Sequence, residues 1–314
     1  MSEISYKRGG SGKLCEEFIV PPFSTLDAKQ GYWQSRKKEW KKIIHSEEGR
    51  DDDLLGDGLL SLNKKAGMKQ PATSIFDPVL CEVLINWFCP PNAKILDPFA
   101  GGSVRGVVSS FLGHEYTGVD LSERQIKANY DEFASIKGEY RDFFGGELTT
   151  PRWIVGDSAS IETIADGKYD FLMSCPPYAD LEVYSNDERD LSNMPYDKFM
   201  ETYTAIVSKS AKMLNDDSFA VFVVGEVRNK RGIYYGLVRD TVKAFENAGL
   251  KYYNDCVLLD QYGTARLRAG RQFRALRKVV KTHQNVLVFL KGKERNAVNK
   301  LRPYRYEFIV NPVK

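Results

Sequence analysis

From about residue 74 to residue 290 the chain alternates between short apolar runs and longer stretches with apolar residues at helical spacing. Nothing else in it constrains the fold as tightly. The runs at 94–96, 116–119, 153–155, 169–173, 219–224, 252–259 and 285–290 read as strands. Residues 78–88, 103–112, 122–136, 196–214 and 234–248 read as helices. Strands and helices in this order imply βαβ units and a doubly wound, mostly parallel α/β sheet of seven strands. Such sheets bind ligands at the carboxyl ends of their strands, so the polar residues at those ends become the candidates for function.

The first 70 residues read as a helical N-terminal extension, 71–295 as the main domain and 296–314 as a tail. Within the extension, 32–45 (YWQSRKKEWKKIIH) reads as a basic helix with Trp33, Trp40 and Ile44 on or near one face. Its tryptophans are expected to pack rather than to stack on bases. Residues 47–58 read as an acidic, Gly-rich loop. With 42% apolar and 28% charged residues, the 314-residue chain can bury a core. No run approaches the roughly 18 apolar residues of a membrane-spanning helix, and the N-terminus has no apolar segment of the secretory kind. The cytoplasm is the default expectation. Five cysteines without a CxxC pair and three isolated histidines predict neither a disulfide framework nor a metal site.

Three strand ends carry acids in a suggestive order. Asp97-Pro98-Phe99-Ala100-Gly101-Gly102-Ser103 follows the first strand and opens a helix. Glycine there lets a ligand approach the backbone, and the helix start offers free N–H groups to a carboxylate. The motif is neither GxGxxG nor a P-loop. Asp120 ends the next strand and can accept both hydroxyls of a ribose; it, or Ser122, can equally cap the following helix. Asp157, in Gly156-Asp157-Ser158, can accept from an adenine amino group or serve as a turn residue. In this order they describe a pocket for S-adenosylmethionine.

DPFAGGS, VDLS, GDS and CPPY resemble the motifs of class I methyltransferases, which have a Rossmann-like fold, and specifically of the DNA amino-methyltransferases. The resemblance covers roughly residues 74–290. In SCPPYADLEVYS and KTHQNVLVF the chain also resembles DNA modification methylases encoded by bacteriophages. It implies a cofactor-binding role for Ser74 and Phe76, in Ser74-Ile75-Phe76-Asp77, with Phe76 packing on adenine or sitting in the core. It also implies S-adenosylmethionine as cofactor and double-stranded DNA, with the target base flipped, as partner. A homo-oligomer and a partner nuclease stay open.

Ser174-Cys175-Pro176-Pro177-Tyr178 ends the fourth strand. A base's exocyclic amine is a poor nucleophile, because its lone pair is delocalised into the ring. Two acceptors aimed at its hydrogens, a side chain at Cys175 and the carbonyl of Pro176, draw the nitrogen toward a tetrahedral form. Pro177 stiffens the turn, and Tyr178 offers a flat surface to an everted base. The family has Ser, Asn or Asp where Cys175 stands, and a thiol is the weaker acceptor. The size of cysteine leans toward N4 of cytosine over N6 of adenine. A second expectation treats Cys175 as a nucleophile with Glu226 as its acid, in carbon-5 methylation of a pyrimidine. A third is an inert DNA-binding subunit.

Charge supplies the nucleic-acid side. Residues 261–314 hold 14 Lys/Arg against two Asp/Glu, whereas the rest of the chain is net acidic. The segment 264–281 carries Arg266, Arg268, Arg271, Arg274, Arg277, Lys278 and Lys281 without an acid, and Gly270 divides it into a loop and a helix. It is expected to contact phosphates. The acidic stretch 179–195 reads as a lid, with Tyr184 facing the base pocket.

Overall fold

The computed structural model describes residues 12–45, 75–144, 147–178, 187–260, 262 and 265–301. The chain runs α1 (Gly12–Phe18), β1 (Thr25–Asp27), α2 (Gly31–Ile43), α3 (Pro78–Phe88), β2 (Lys94–Asp97) and α4 (Val104–Phe111). It continues through β3 (Glu115–Asp120), α5 (Glu123–Phe144), β4 (Arg152–Val155), α6 (Ile161–Ile164), β5 (Tyr169–Ser174) and α7 (Tyr196–Met213). β6 (Leu214–Val224), α8 (Leu237–Asn247), β7 (Lys251–Leu259), α9 (Ala265–Leu276), β8 (His283–Lys291) and α10 (Glu294–Lys300) complete it.

The strands form one sheet in the order β1-β7-β8-β6-β5-β2-β3-β4. β8 runs antiparallel to both β6 and β7, and every other pairing is parallel. The carboxyl ends of β2 to β7 therefore share one edge of the sheet, and the amino end of β8 joins them there. The central strands β2, β3, β5, β6 and β8 are buried over most of their length, and because successive side chains point to opposite faces, both faces of the sheet's centre are covered. Phe219, Val221 and Val223 of β6 face one apolar layer, with α2 to α5. Ala220, Phe222 and Val224 face the other, with α7 and α8.

The sheet has eight strands rather than the seven the sequence predicts. β1, from the N-terminal extension, pairs in parallel with β7, Thr25 opposite Val257. The next helix, α2, docks on α3 through both tryptophans, which are buried as expected. Trp40 Nε1 donates to Glu82 at 2.8 Å, and Arg36 Nε donates to the same carboxylate at 2.5 Å. Trp33 Nε1 and Lys37 Nζ both reach Asp77, which also caps α3 through the Val79 N–H. Glu82 is 1% exposed, and a buried carboxylate is tolerated only when paired and hydrogen-bonded in this way. A second departure is Gly270, which does not break the basic segment: α9 runs through it. The helix has no buried residue, so glycine costs only its propensity there, about 1 kcal/mol relative to alanine. No helix among the described residues is long and apolar enough to cross a membrane.

Candidate active site

A cavity of about 490 Å³ opens at the carboxyl edge of the sheet, within the usual range for small-molecule sites. Phe76, Pro98, Phe99, Gly101, Asp120 and Asp157 line it on the side of β2, β3 and β4. Cys175, Pro176, Pro177 and Tyr178 line it from the end of β5. The two halves expected from the sequence thus share one hollow.

The loop after β2 is held from beneath. Asp97 is fully buried and turned inward, and does not line the cavity. Its carboxylate accepts from Arg105 Nε at 2.5 Å, Tyr116 Oη at 2.7 Å, Ser174 Oγ at 2.5 Å and the Phe99 N–H at 3.1 Å. Arg105 in turn donates to the carbonyls of Phe99 and Ala100 at 2.6 and 2.9 Å, and its guanidinium lies 4.7 Å from the centre of the Phe76 ring. Burial, the largest single influence, lowers the basicity of Arg105, but the Asp97 charge and hydrogen bond together with Tyr116 and Cys175 outweigh it, so the guanidinium is held above its ordinary value and stays protonated. The expected contact of Asp97 with the cofactor is therefore replaced by a supporting role. Ser103 is also buried, donates to Glu132 and stands off the cavity wall.

Gly101 adopts the left-handed region (φ 50°), and its N–H donates to Asp120 Oδ2, 2.9 Å away. The Ser122 N–H donates to Asp120 Oδ1 at 2.9 Å, while Ser122 Oγ accepts from the Gln125 N–H at the start of α5. Asp120 thus braces the loop and leaves the helix cap to Ser122. Burial pushes its carboxyl up, against the two N–H donors. Asp157 accepts from the Ala159 N–H at 2.8 Å. Each carboxylate offers about four acceptor positions, so both can receive further donors from the cavity.

At the chemical end, Cys175 Sγ lies 3.4 Å from Tyr178 Oη, and the Tyr178 ring rests over Gly225, where a Cβ would stand 3.4 Å from it. Tyr178 Oη donates to Gln284 Oε1 at 3.1 Å, and Gln284 Nε2 donates to Asp260 Oδ2 at 3.4 Å. Glu226 is absent from this cavity. Its Oε1 accepts the Val238 N–H at the start of α8, 2.8 Å away.

Arg266, Arg268, Arg271 and Arg274 stand on the exposed α9, and Arg277, Lys278 and Lys281 follow on the way to β8. This excursion leaves the sheet at Asp260 and returns at His283, on the cavity's own edge, although none of its seven basic residues lines the cavity. Arg189 and Asp190, at the end of the expected lid, do line it. Ser74, and residues 179–186 with Tyr184, lie outside the described residues. Sequence reasoning missed Arg105, Lys37, Asp260 and Gln284, all of which reach the wall. The signal for Asp260 is its place just past the carboxyl end of β7, and for Gln284 that the reversed strand β8 brings its amino end to the same edge.

Parallel strands wound with helices on both faces, a single reversed strand and ligand loops at the carboxyl edge decide the architecture. The fold is of the Rossmann-like, class I methyltransferase type. No protein-family profile matches the chain. Among curated proteins, the "Putative methylase YubD" of Escherichia coli strain K12 is 33% identical over 85 residues, 27% of this chain. The match spans about a third of that relative's length (34%). Among solved structures, TrmN from Thermus thermophilus aligns over 74% of this chain and 65% of its own, with 12% identity and a TM-score of 0.45. The magnesium protoporphyrin IX methyltransferase ChlM of Synechocystis PCC 6803, with bound SAM, aligns over 92% of this chain and all of its own, with 11% identity and a TM-score of 0.43.

Proposed function

We propose that this protein is an S-adenosylmethionine-dependent methyltransferase that modifies an exocyclic amine of a base flipped out of double-stranded DNA, N4 of cytosine ahead of N6 of adenine. The observation that carries the reading is the shared cavity: carboxylates at the ends of β3 and β4 and the Cys-Pro-Pro-Tyr turn at the end of β5 open into one space. The cofactor fits the donor set. Asp120 suits a ribose diol, Asp157 an adenine amino group, and Gly101 puts no side chain between the loop and a ligand, with open space where a Cβ would stand. When bound, the cofactor supplies a methyl group on a positively charged sulfur.

The chain's own residues prepare the amine. Tyr178, backed by Gly225, presents a ring for the base to stack on. The Pro176 carbonyl accepts one amine hydrogen, which localises the lone pair on nitrogen. The work is positioning and preorganised electrostatics, with no covalent enzyme intermediate. The basic excursion between β7 and β8 supports a polyanionic substrate, because its cations stand on the edge where the cavity opens.

Nucleoside mass spectrometry of DNA from cells expressing the chain tests the reading. N4-methylcytosine or N6-methyladenine is the expected product. 5-Methylcytosine would transfer the assignment to carbon-5 chemistry, and DNA without added methylation would refute catalysis on DNA. Cys175→Ser separates the mechanisms independently. An amine methyltransferase keeps turnover within about tenfold, one hydrogen bond's worth, whereas a thiol nucleophile cannot be replaced and activity is lost.

A further inference from the structure

The sequence puts a thiol where an amine methyltransferase needs a good acceptor, and Cys175 Sγ is itself drawn toward Tyr178 Oη, 3.4 Å away. The cavity wall beside it carries a better group. Gln284 is the second residue of β8, paired opposite Leu258 of β7, and its backbone is fixed by that ladder. Its amide has a defined orientation. Nε2 donates to Asp260 Oδ2 at 3.4 Å, and Oε1 accepts from Tyr178 Oη at 3.1 Å. Turned the other way, the amide would set an oxygen against the Asp260 carboxylate and an N–H against the tyrosine's donor. Asp260 is held in turn: its N–H donates to the Thr282 carbonyl at 3.1 Å, and Lys37 of α2 stands on the same cavity wall.

An amide carbonyl has two lone pairs and an NH₂ group two hydrogens. With one of each engaged, Gln284 keeps one acceptor and one donor side by side. Cytosine and adenine share the complementary pattern: an exocyclic amine, which donates, next to a ring nitrogen, which accepts. Thymine presents the reverse, a carbonyl beside a ring N–H, and so does guanine on its O6–N1 edge. Paired amide contacts of this kind discriminate bases strongly.

We infer that Gln284, oriented by Asp260, reads the amidine edge of the target base, Oε1 accepting from the exocyclic amine and Nε2 donating to the adjacent ring nitrogen. This rests on the amine-methyltransferase reading and deepens it. The amine's two hydrogens then go to the Pro176 carbonyl and to Gln284 Oε1, which relieves Cys175 of the role its thiol performs poorly. Both target bases fit the same edge, so the amide rejects thymine and the O6–N1 edge of guanine and leaves the choice between cytosine and adenine to the shape of the rest of the pocket.

The test is a cycle between protein and substrate, run with the full chain on duplex oligonucleotides carrying the sequence found modified in host DNA. The target base is replaced by its analogue without the ring nitrogen, 3-deazacytosine, or 1-deazaadenine where the product is N6-methyladenine. Wild type is expected to lose about tenfold to a hundredfold in kcat/KM on the analogue, the worth of a good paired base contact. Gln284→Leu should lose at least as much on the normal base and nothing further on the analogue. Asp260→Asn should give an intermediate loss, since asparagine no longer fixes which way the amide points. S-adenosylmethionine affinity by calorimetry should be unchanged in all three proteins. Wild-type indifference to the missing nitrogen overturns the inference. So do independent, multiplying losses in Gln284→Leu, and so does a collapse of cofactor affinity in that variant, which would make Gln284 a scaffold residue. Absence of methylation by wild type on the normal base refutes instead the reading on which the inference rests.

Discussion

Replacing Arg105 with methionine removes the cation that serves Asp97 while keeping a side chain of similar reach. Asp97 is fully buried, so water cannot replace the lost partner. Three donors remain to it, from Tyr116, Ser174 and the Phe99 backbone, but none carries a charge. Breaking a buried ion pair from one side costs about 3–5 kcal/mol. The Phe99 and Ala100 carbonyls also lose their guanidinium donor, which places the expected value toward the upper end. For a domain of this size, 1 kcal/mol corresponds to about 2–4 °C, so thermal unfolding should begin about 6–20 °C earlier. Urea titration followed by tryptophan fluorescence supplies the free energy. The decisive comparison is Arg105→Met with Asp97→Asn: neutralising the stranded carboxylate should recover a substantial part of the loss. A single variant that melts within 2 °C of wild type, or a double variant less stable than the single by the full cost of the second change, would refute the account of this loop as a charge-clamped structure.

Two further outcomes follow from the site. Burial raises the Asp120 carboxyl, so the proton returns to it at a higher pH than to an ordinary aspartate, near 4. Because its folded-state value is raised, folding gains from this group as pH falls through that value and bears the cost of the buried charge above it. Cofactor affinity should run the opposite way, weakening in acid as the carboxylate is lost, and Asp120→Asn should weaken binding about 10- to 100-fold at neutral pH and abolish that pH dependence in calorimetry. On α9, substituting Arg266, Arg268, Arg271 and Arg274 with glutamine should weaken DNA binding across sequences alike. It should also flatten the slope of log affinity against log salt by about 0.9 for each phosphate contact removed, as read from fluorescence anisotropy over a salt series.

The alternation of apolar runs carried the sheet, because strands buried on both faces and helices with one apolar side leave different periods in the sequence. β1 left no such trace. Three residues, Thr25-Leu26-Asp27, are too few to show a period, and their partner is more than two hundred positions away. Gly270 misled because a breaker's weight depends on its surroundings, and an exposed helix tolerates it. In the site, the residues at or just past the strand ends, Phe99, Gly101, Asp120, Asp157 and the Cys-Pro-Pro-Tyr turn, came out on the cavity wall. The acids whose fate depends on a neighbour did not. Asp97 is claimed by Arg105, eight residues on, and Glu226 by the backbone at the start of α8. Which partner wins such a carboxylate is decided by three-dimensional proximity, which spacing alone does not encode.

The pairing of β1 with β7 also bears on how the chain matures during synthesis. Thr25 leaves the ribosome long before Val257 exists, so the outermost strand must wait for almost the whole polypeptide before its hydrogen bonds can close. Contacts of such separation form slowly, and until then the row of unpaired amides on β7 is a template for wrong partners. α2, whose tryptophans bond Asp77 and Glu82 at α3, needs only the first hundred residues for its partner and can keep the strand tethered near its destination. The amino-terminal segment is in this sense a latch threaded early and fastened last, and a fusion or truncation placed before residue 45 should be felt first as poor yield of folded protein rather than as altered catalysis.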